Sequence, residues 1–158
     1  MPATSFPARQ HDHAQCIQHA MHKAEAICKR HKLRFTPIRR QVLELIWAQH
    51  TPVSAYHILD ALRDRKANAQ AATVYRALSF LLEHGLVHKI ESLNAFAACQ
   101  QAGEKHTGQF LICARCQQIV ELHTQDISHA IAREAISNDF TITNQTIELT
   151  GICSECSH

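Results

Sequence analysis

The sequence predicts an α+β chain in two parts: an N-terminal segment with the outline of a winged helix-turn-helix, and a small C-terminal α/β unit. Three observations lead there. The first two-thirds of the 158 residues read as helices, with apolar residues recurring at helical spacing and two short extended stretches at the end. Beyond a polar linker, Gln100 to Gly108, β-branched alternation becomes prominent. The second half also carries two Cys-x-x-Cys pairs.

Taken in order, Ile17, Ala20, Met21, Ala24, Ile27 and Cys28 lie on one face of a first helix. Thr36-Pro37 starts the next, because Thr can cap and the fixed φ of Pro suits the first turn. Ile38, Val42, Leu45 and Ile46 form its apolar stripe, with Trp47 beside it. After the break at Pro52, Ser54 caps a short helix carrying Ala55, Ile58, Leu59 and Leu62. A further helix from about Ala72 to Glu83 turns Val74, Leu78, Leu81 and Leu82 inward, and Gly85 ends it. Extended stretches are expected at Leu86–Ile90 and Ala95–Cys99.

Three helices followed by a small hairpin outline a winged helix-turn-helix, whose second motif helix lies in the major groove of DNA. Charge agrees. From Lys29 to Lys89 there are eleven Lys/Arg against Glu44, Asp60, Asp64 and Glu83, whereas the remainder holds five against ten Asp/Glu. The basic balance, with Tyr75-Arg76 on the expected recognition helix, favours a nucleic-acid face over a plain helical bundle. The expected domains are 1–92 (with 1–13 flexible), a hinge at 93–108, and a C-terminal unit at 109–158.

In the C-terminal part, Phe110–Ile112 and Ile119–Leu122 read as a hairpin around the first Cys pair. Ile127, Ala130, Ile131 and Ala135 suggest a helix, and Phe140–Thr150 reads as extended. About fifty residues make a marginal core, so the unit needs a metal staple, a partner subunit or both.

Seven Cys and thirteen His are the unusual entries in the composition. The N-terminus has neither the basic start nor the apolar core of a signal peptide, and no apolar run approaches a membrane span. A cytoplasmic setting is expected, where metal or redox chemistry is a better use for cysteines than disulfides. The spacing Cys113-Ala-Arg-Cys116 and Cys153-Ser-Glu-Cys156 suits two knuckles closing on one tetrahedral zinc ion. A closed four-thiolate shell has no open coordination position, which argues for a structural role rather than catalysis. A thioredoxin-like redox pair or two disulfides are the alternatives. A redox pair belongs at a helix start after a strand, whereas Cys113 and Cys116 sit between two strand-like runs.

His88, Cys99, His106 and Glu121 are also of zinc-ligand type and flank the linker, but spacing alone leaves them open between solvated or packed residues and a metal site. The cluster His11, Asp12, His13, His19 and His22 reads as a solvated helix face or weak chelator, with an auxiliary metal site the other reading.

Several motifs in order resemble the ferric uptake regulator family of bacterial metalloregulators. They are Arg34-Phe-Thr-Pro-Ile-Arg39, Val53-Ser-Ala-Tyr56, Thr73-Val-Tyr-Arg-Ala-Leu78, Leu82-Glu-His-Gly-Leu-Val-His-Lys89 and the two Cys pairs. The resemblance spans roughly Ala24 to Cys156 and, within the family, is greatest to the zinc uptake regulator branch. It implies a second, sensory zinc on His88, Cys99, His106 and Glu121, hence two Zn2+ per chain, one structural and one regulatory. A thiolate among imidazoles favours zinc over iron(II) or manganese. The resemblance also implies DNA contacts by Tyr56, Thr73, Tyr75 and Arg76. Arg39 and Arg40 are read as phosphate contacts or surface charge.

The function implied is a non-enzymatic repressor that binds a palindromic operator as a zinc-loaded homodimer. Neither a membrane nor a small-molecule substrate is expected as partner. The alternatives are a same-family sensor of another metal or of peroxide, or a zinc enzyme, which would need an open coordination position and a general base.

Overall fold

The computed structural model describes Phe6 and residues 13–66, 68–104 and 106–157. These fall into two compact units, one within Ala8–Lys105 and one within His106–His158 together with Phe6. No helix among the described residues is long and apolar enough to cross a membrane.

The N-terminal unit holds α1 (His13–Arg30), α2 (Pro37–Trp47), α3 (Ala55–Arg65), α4 (Ala71–Glu83) and the hairpin β1 (Val87–Ile90) and β2 (Ala95–Ala98). The expected caps form. Thr36 accepts from the Arg39 N–H and Ser54 accepts from the His57 N–H, satisfying helix-start donors that have no intrahelical partner. Gly85 ends α4 at φ 64°, with the Leu86 N–H on the Leu81 carbonyl at 2.8 Å and the Gly85 N–H on that of Leu82 at 3.1 Å. Those two bonds are the Schellman closure, which needs a left-handed residue at its corner.

The same closure ends α1 without a glycine. Lys32 takes φ 55°, and the Leu33 N–H reaches the Cys28 carbonyl at 2.8 Å. Val42, Ile58, Leu81 and Ile90 are wholly buried, so α2, α3, α4 and the hairpin each contribute to the core. Val53, between the Pro52 break and α3, exchanges two 2.8 Å backbone bonds with Phe96 of β2. This bridge fastens the hairpin to the start of α3.

The C-terminal unit is a three-stranded sheet in the order β4-β3-β5, with α5 (Asp126–Ser137) in the crossover. β3 (Gly108–Cys113) pairs antiparallel with β4 (Ile119–Glu121) and parallel with β5 (Thr146–Gly151). The strand expected across Phe140–Thr150 begins only at Thr146. That is where its ladder partner begins, since Gly108 opposite Thr146 is the first residue of β3. Asp139, left-handed at φ 51°, closes α5 just upstream.

Gln109 is buried and donates through Nε2 to the Thr124 carbonyl (3.1 Å) and to Ser128 Oγ (2.8 Å), tying β3 to the start of α5. The apolar face of this unit is incompletely covered. No residue of α5 is fully buried, and Ile136, Phe140, Leu149 and Ile152 are 48–75% exposed.

Candidate metal centre and nucleic-acid interface

The parallel β3–β5 register brings the two Cys pairs together. It sets Cys113, the last residue of β3, opposite Gly151 of β5, two residues before Cys153. Each pair then folds as a knuckle. The first turns with Gln117 at φ 60° and the Gln117 N–H on the Cys113 carbonyl at 2.9 Å; the second is the 3-10 turn Ser154–Cys156. The knuckles are joined by the Ala114 N–H on the Gly151 carbonyl (2.8 Å), the Cys153 N–H on Cys113 Sγ (3.4 Å), and Arg115, which donates to the Cys156 carbonyl.

All four sulfurs lie within 4.8 Å of one another, with Cys116 and Cys153 at 3.8 Å. A regular tetrahedron whose centre is about 2.3 Å from each sulfur has edges of about 3.8 Å, so the cage fits a tetrahedral thiolate-bound ion. A disulfide needs about 2.05 Å between sulfurs, and none of the seven cysteines is in a disulfide.

Electrostatics point the same way. The Cys116 N–H, with that of Cys153, holds the Cys113 thiol down to about 6. Hydrogen bonding with the Cys153 sulfur pushes Cys156 up to about 12, and burial raises Cys153. The cage thus stabilises one thiolate, which disfavours ionisation of its neighbours; a divalent cation at the centre would allow all four to ionise.

The four residues of the other candidate set fall into two pairs. On the hairpin, His88 sits opposite Ala97 in the β1–β2 register, and Cys99 follows β2 with its N–H on the Leu86 carbonyl at 3.3 Å. Cys99 is 1% exposed, and its sulfur lies within 4.8 Å of a His88 ring nitrogen. In the C-terminal unit, His106 Nε2 lies 2.8 Å from Oε1 of Glu121, the buried last residue of β4. Each pair brings together two side chains of metal-donor type.

Among the described residues, none of the N-terminal histidines joins a group of three or more metal-donor side chains. His13 stacks on His50 at 4.2 Å and contacts the Ala48 carbonyl at 3.0 Å, while His19 and His22 are exposed. His11 and Asp12 lie outside the described residues. Cys28 is a packed core thiol whose pKa burial raises.

On the expected DNA face, Tyr56 in the first turn of α3 is 75% exposed, and α4 presents Tyr75 and Arg76, with Thr73 half-buried beside them. Arg39 and Arg40 are engaged within the unit. Arg40 pairs with Glu25, and Arg39 lies over the Phe80 ring, 3.6 Å from its centroid. Sequence reasoning missed this use of Arg39, along with the buried Gln109, because neither contact has a spacing signature.

The ferric uptake regulator family model matches residues 30–150. The zinc uptake regulation protein of Escherichia coli (strain K12) is 38% identical over 140 residues, covering 88% of this chain and 82% of that protein. A solved zinc uptake regulator complexed with zinc and DNA superposes with a TM-score of 0.85 at 38% identity, over 89% of this chain and 94% of that one. The crystal structure of holo XcZur superposes with a TM-score of 0.81 at 41% identity, over 87% and 96%. With a family model matched across both units and a relative of this identity spanning most of both chains, the protein belongs to the ferric uptake regulator family.

Proposed function

We propose that the protein is a zinc-responsive transcriptional repressor of the cytoplasm, binding palindromic operator DNA as a zinc-loaded homodimer and silencing zinc-uptake genes. The likeness to a regulator solved with zinc and DNA supports the class. The observation that carries the zinc assignment is Cys99, a buried thiol beside His88, which adds a soft donor that iron(II) and manganese do not favour.

Two zinc ions per chain take different roles in this reading. Cys113, Cys116, Cys153 and Cys156 hold a structural ion in a closed shell, with no position for substrate. His88 and Cys99 supply half of a sensory site, and His106 and Glu121 the other half. When bound, the sensory ion supplies a cross-link between the two units. The four donors thereby favour the arrangements of the recognition helices that fit DNA, a population shift limited to the ion's preference for those arrangements. The uncovered Ile136, Phe140, Leu149 and Ile152, together with β5 at the sheet edge, support pairing of C-terminal units in the dimer.

Tyr56, Thr73, Tyr75 and Arg76 are assigned to DNA. An exposed Arg near the start of a recognition helix suits bidentate pairing with guanine, while tyrosine can pack on a thymine methyl or bond a phosphate. Arg76→Ala should cost about 1–3 kcal/mol of operator affinity and relax preference at one base position. Competition between zinc-loaded protein and base-substituted operators checks this. A loss of equal size on every sequence would instead make Arg76 a backbone contact.

A further inference from the structure

Arg39 is half-buried at the start of α2, and its guanidinium is held on two sides. One face lies 3.6 Å from the centroid of Phe80 in α4, and its NH1 donates to the Arg34 carbonyl in the turn after α1. Phe80 is itself buried, with the His84 ring 4.5 Å from it. The charge of Arg39 is also felt at buried Cys28 in the last turns of α1, where it opposes the effect of burial. One planar cation therefore touches or influences α1, the α1–α2 turn, α2 and α4.

We propose that Arg39 is a positioning residue for DNA recognition, fixing the rotation of α4 about its axis through Phe80 rather than neutralising a phosphate. Phe80 lies one helical turn beyond Arg76, so a rotation that loosens Phe80 swings Arg76 and Tyr75 by the same angle. Arginine suits this role where lysine does not, because a planar guanidinium can stack on the ring while its edge bonds a carbonyl. A phosphate contact, by contrast, is served by either cation.

This rests on the DNA-binding reading above, and the test separates the two. The probes are a duplex selected from random sequences by the zinc-loaded wild-type protein, and an unrelated duplex of equal length. If the wild type does not prefer the selected duplex, the DNA-binding reading itself fails. Given that preference, Arg39→Lys should bind the selected duplex roughly tenfold more weakly, the scale of one partly desolvated cation–π contact. Affinity for the unrelated duplex and the slope of log affinity against log salt should not change. Phe80→Leu should reproduce this pattern, and the double variant should be no weaker than either single one, because both remove the same contact.

Full operator affinity in Arg39→Lys would overturn the proposal. So would Arg39→Gln weakening both duplexes alike with a salt slope smaller by about one, the mark of a lost phosphate contact. Lowered melting temperatures with unchanged operator affinity in the folded variants would reduce Arg39 to a role in stability alone, and would also overturn it.

Discussion

Cys99→Ser should abolish zinc-responsive operator binding while leaving a folded dimer that retains its four-thiolate ion. Serine nearly preserves the volume of a side chain that is 1% exposed, but removes the soft donor on which selection of zinc rests. Coupling between an effector and a distant ligand is typically about 1–3 kcal/mol, so zinc should raise wild-type operator affinity by roughly 5- to 150-fold. In the variant that gain should vanish, and zinc content should fall from two ions per chain to one. Anisotropy titrations of a labelled operator, with metal analysis of the same samples, read both quantities. Repression at ordinary zinc sensitivity in Cys99→Ser would show the sensory site to be misassigned.

Cys113→Ser should have a larger and different effect, loss of the dimer and unfolding of the C-terminal unit. Among the described residues, the buried apolar side chains of that unit are Phe110, Ile112, Cys113, Val120 and Cys153, two of them cage cysteines. Apparent binding energies of structural zinc in finger peptides are about 10–16 kcal/mol, comparable with the whole stability of an ordinary domain. A core this small has no reserve of that size. Gel filtration should report monomer or aggregate, and strand content should fall. A stable dimer from Cys113→Ser would contradict the structural role of the cage.

What was legible in the sequence was what local chemistry dictates. Thr36-Pro37, Ser54 and Gly85 each mark a helix end by residue type, and the structure uses all three in those roles. The ends of α1 and α5 were not legible, because Lys32 and Asp139 occupy left-handed corners that neither residue type advertises. The late start of β5 follows from where β3 begins, a tertiary fact that the alternation of residues 140–150 does not encode. Spacing within each Cys pair pointed to a knuckle, but the meeting of the two pairs depends on the parallel β3–β5 register. Arg39 reads as a phosphate contact or surface charge until Phe80, forty-one positions away in the chain, is seen beneath it.

For His88, Cys99, His106 and Glu121, spacing carried little. The family resemblance supplied the set, and the geometry adds a buried thiol beside an imidazole on the hairpin and a 2.8 Å His106–Glu121 pair in the C-terminal unit. Those two fragments come from separate compact units.

In the proposed mechanism zinc is the ion that switches DNA binding on. The most direct measurement is operator binding by full-length protein carrying only its four-thiolate ion, titrated separately with buffered zinc, iron(II) and manganese(II). Operator binding should saturate at free zinc concentrations far below those at which iron(II) or manganese(II) has any effect. Equal activation by iron(II) or manganese(II), or full binding before any metal is added, would contradict it.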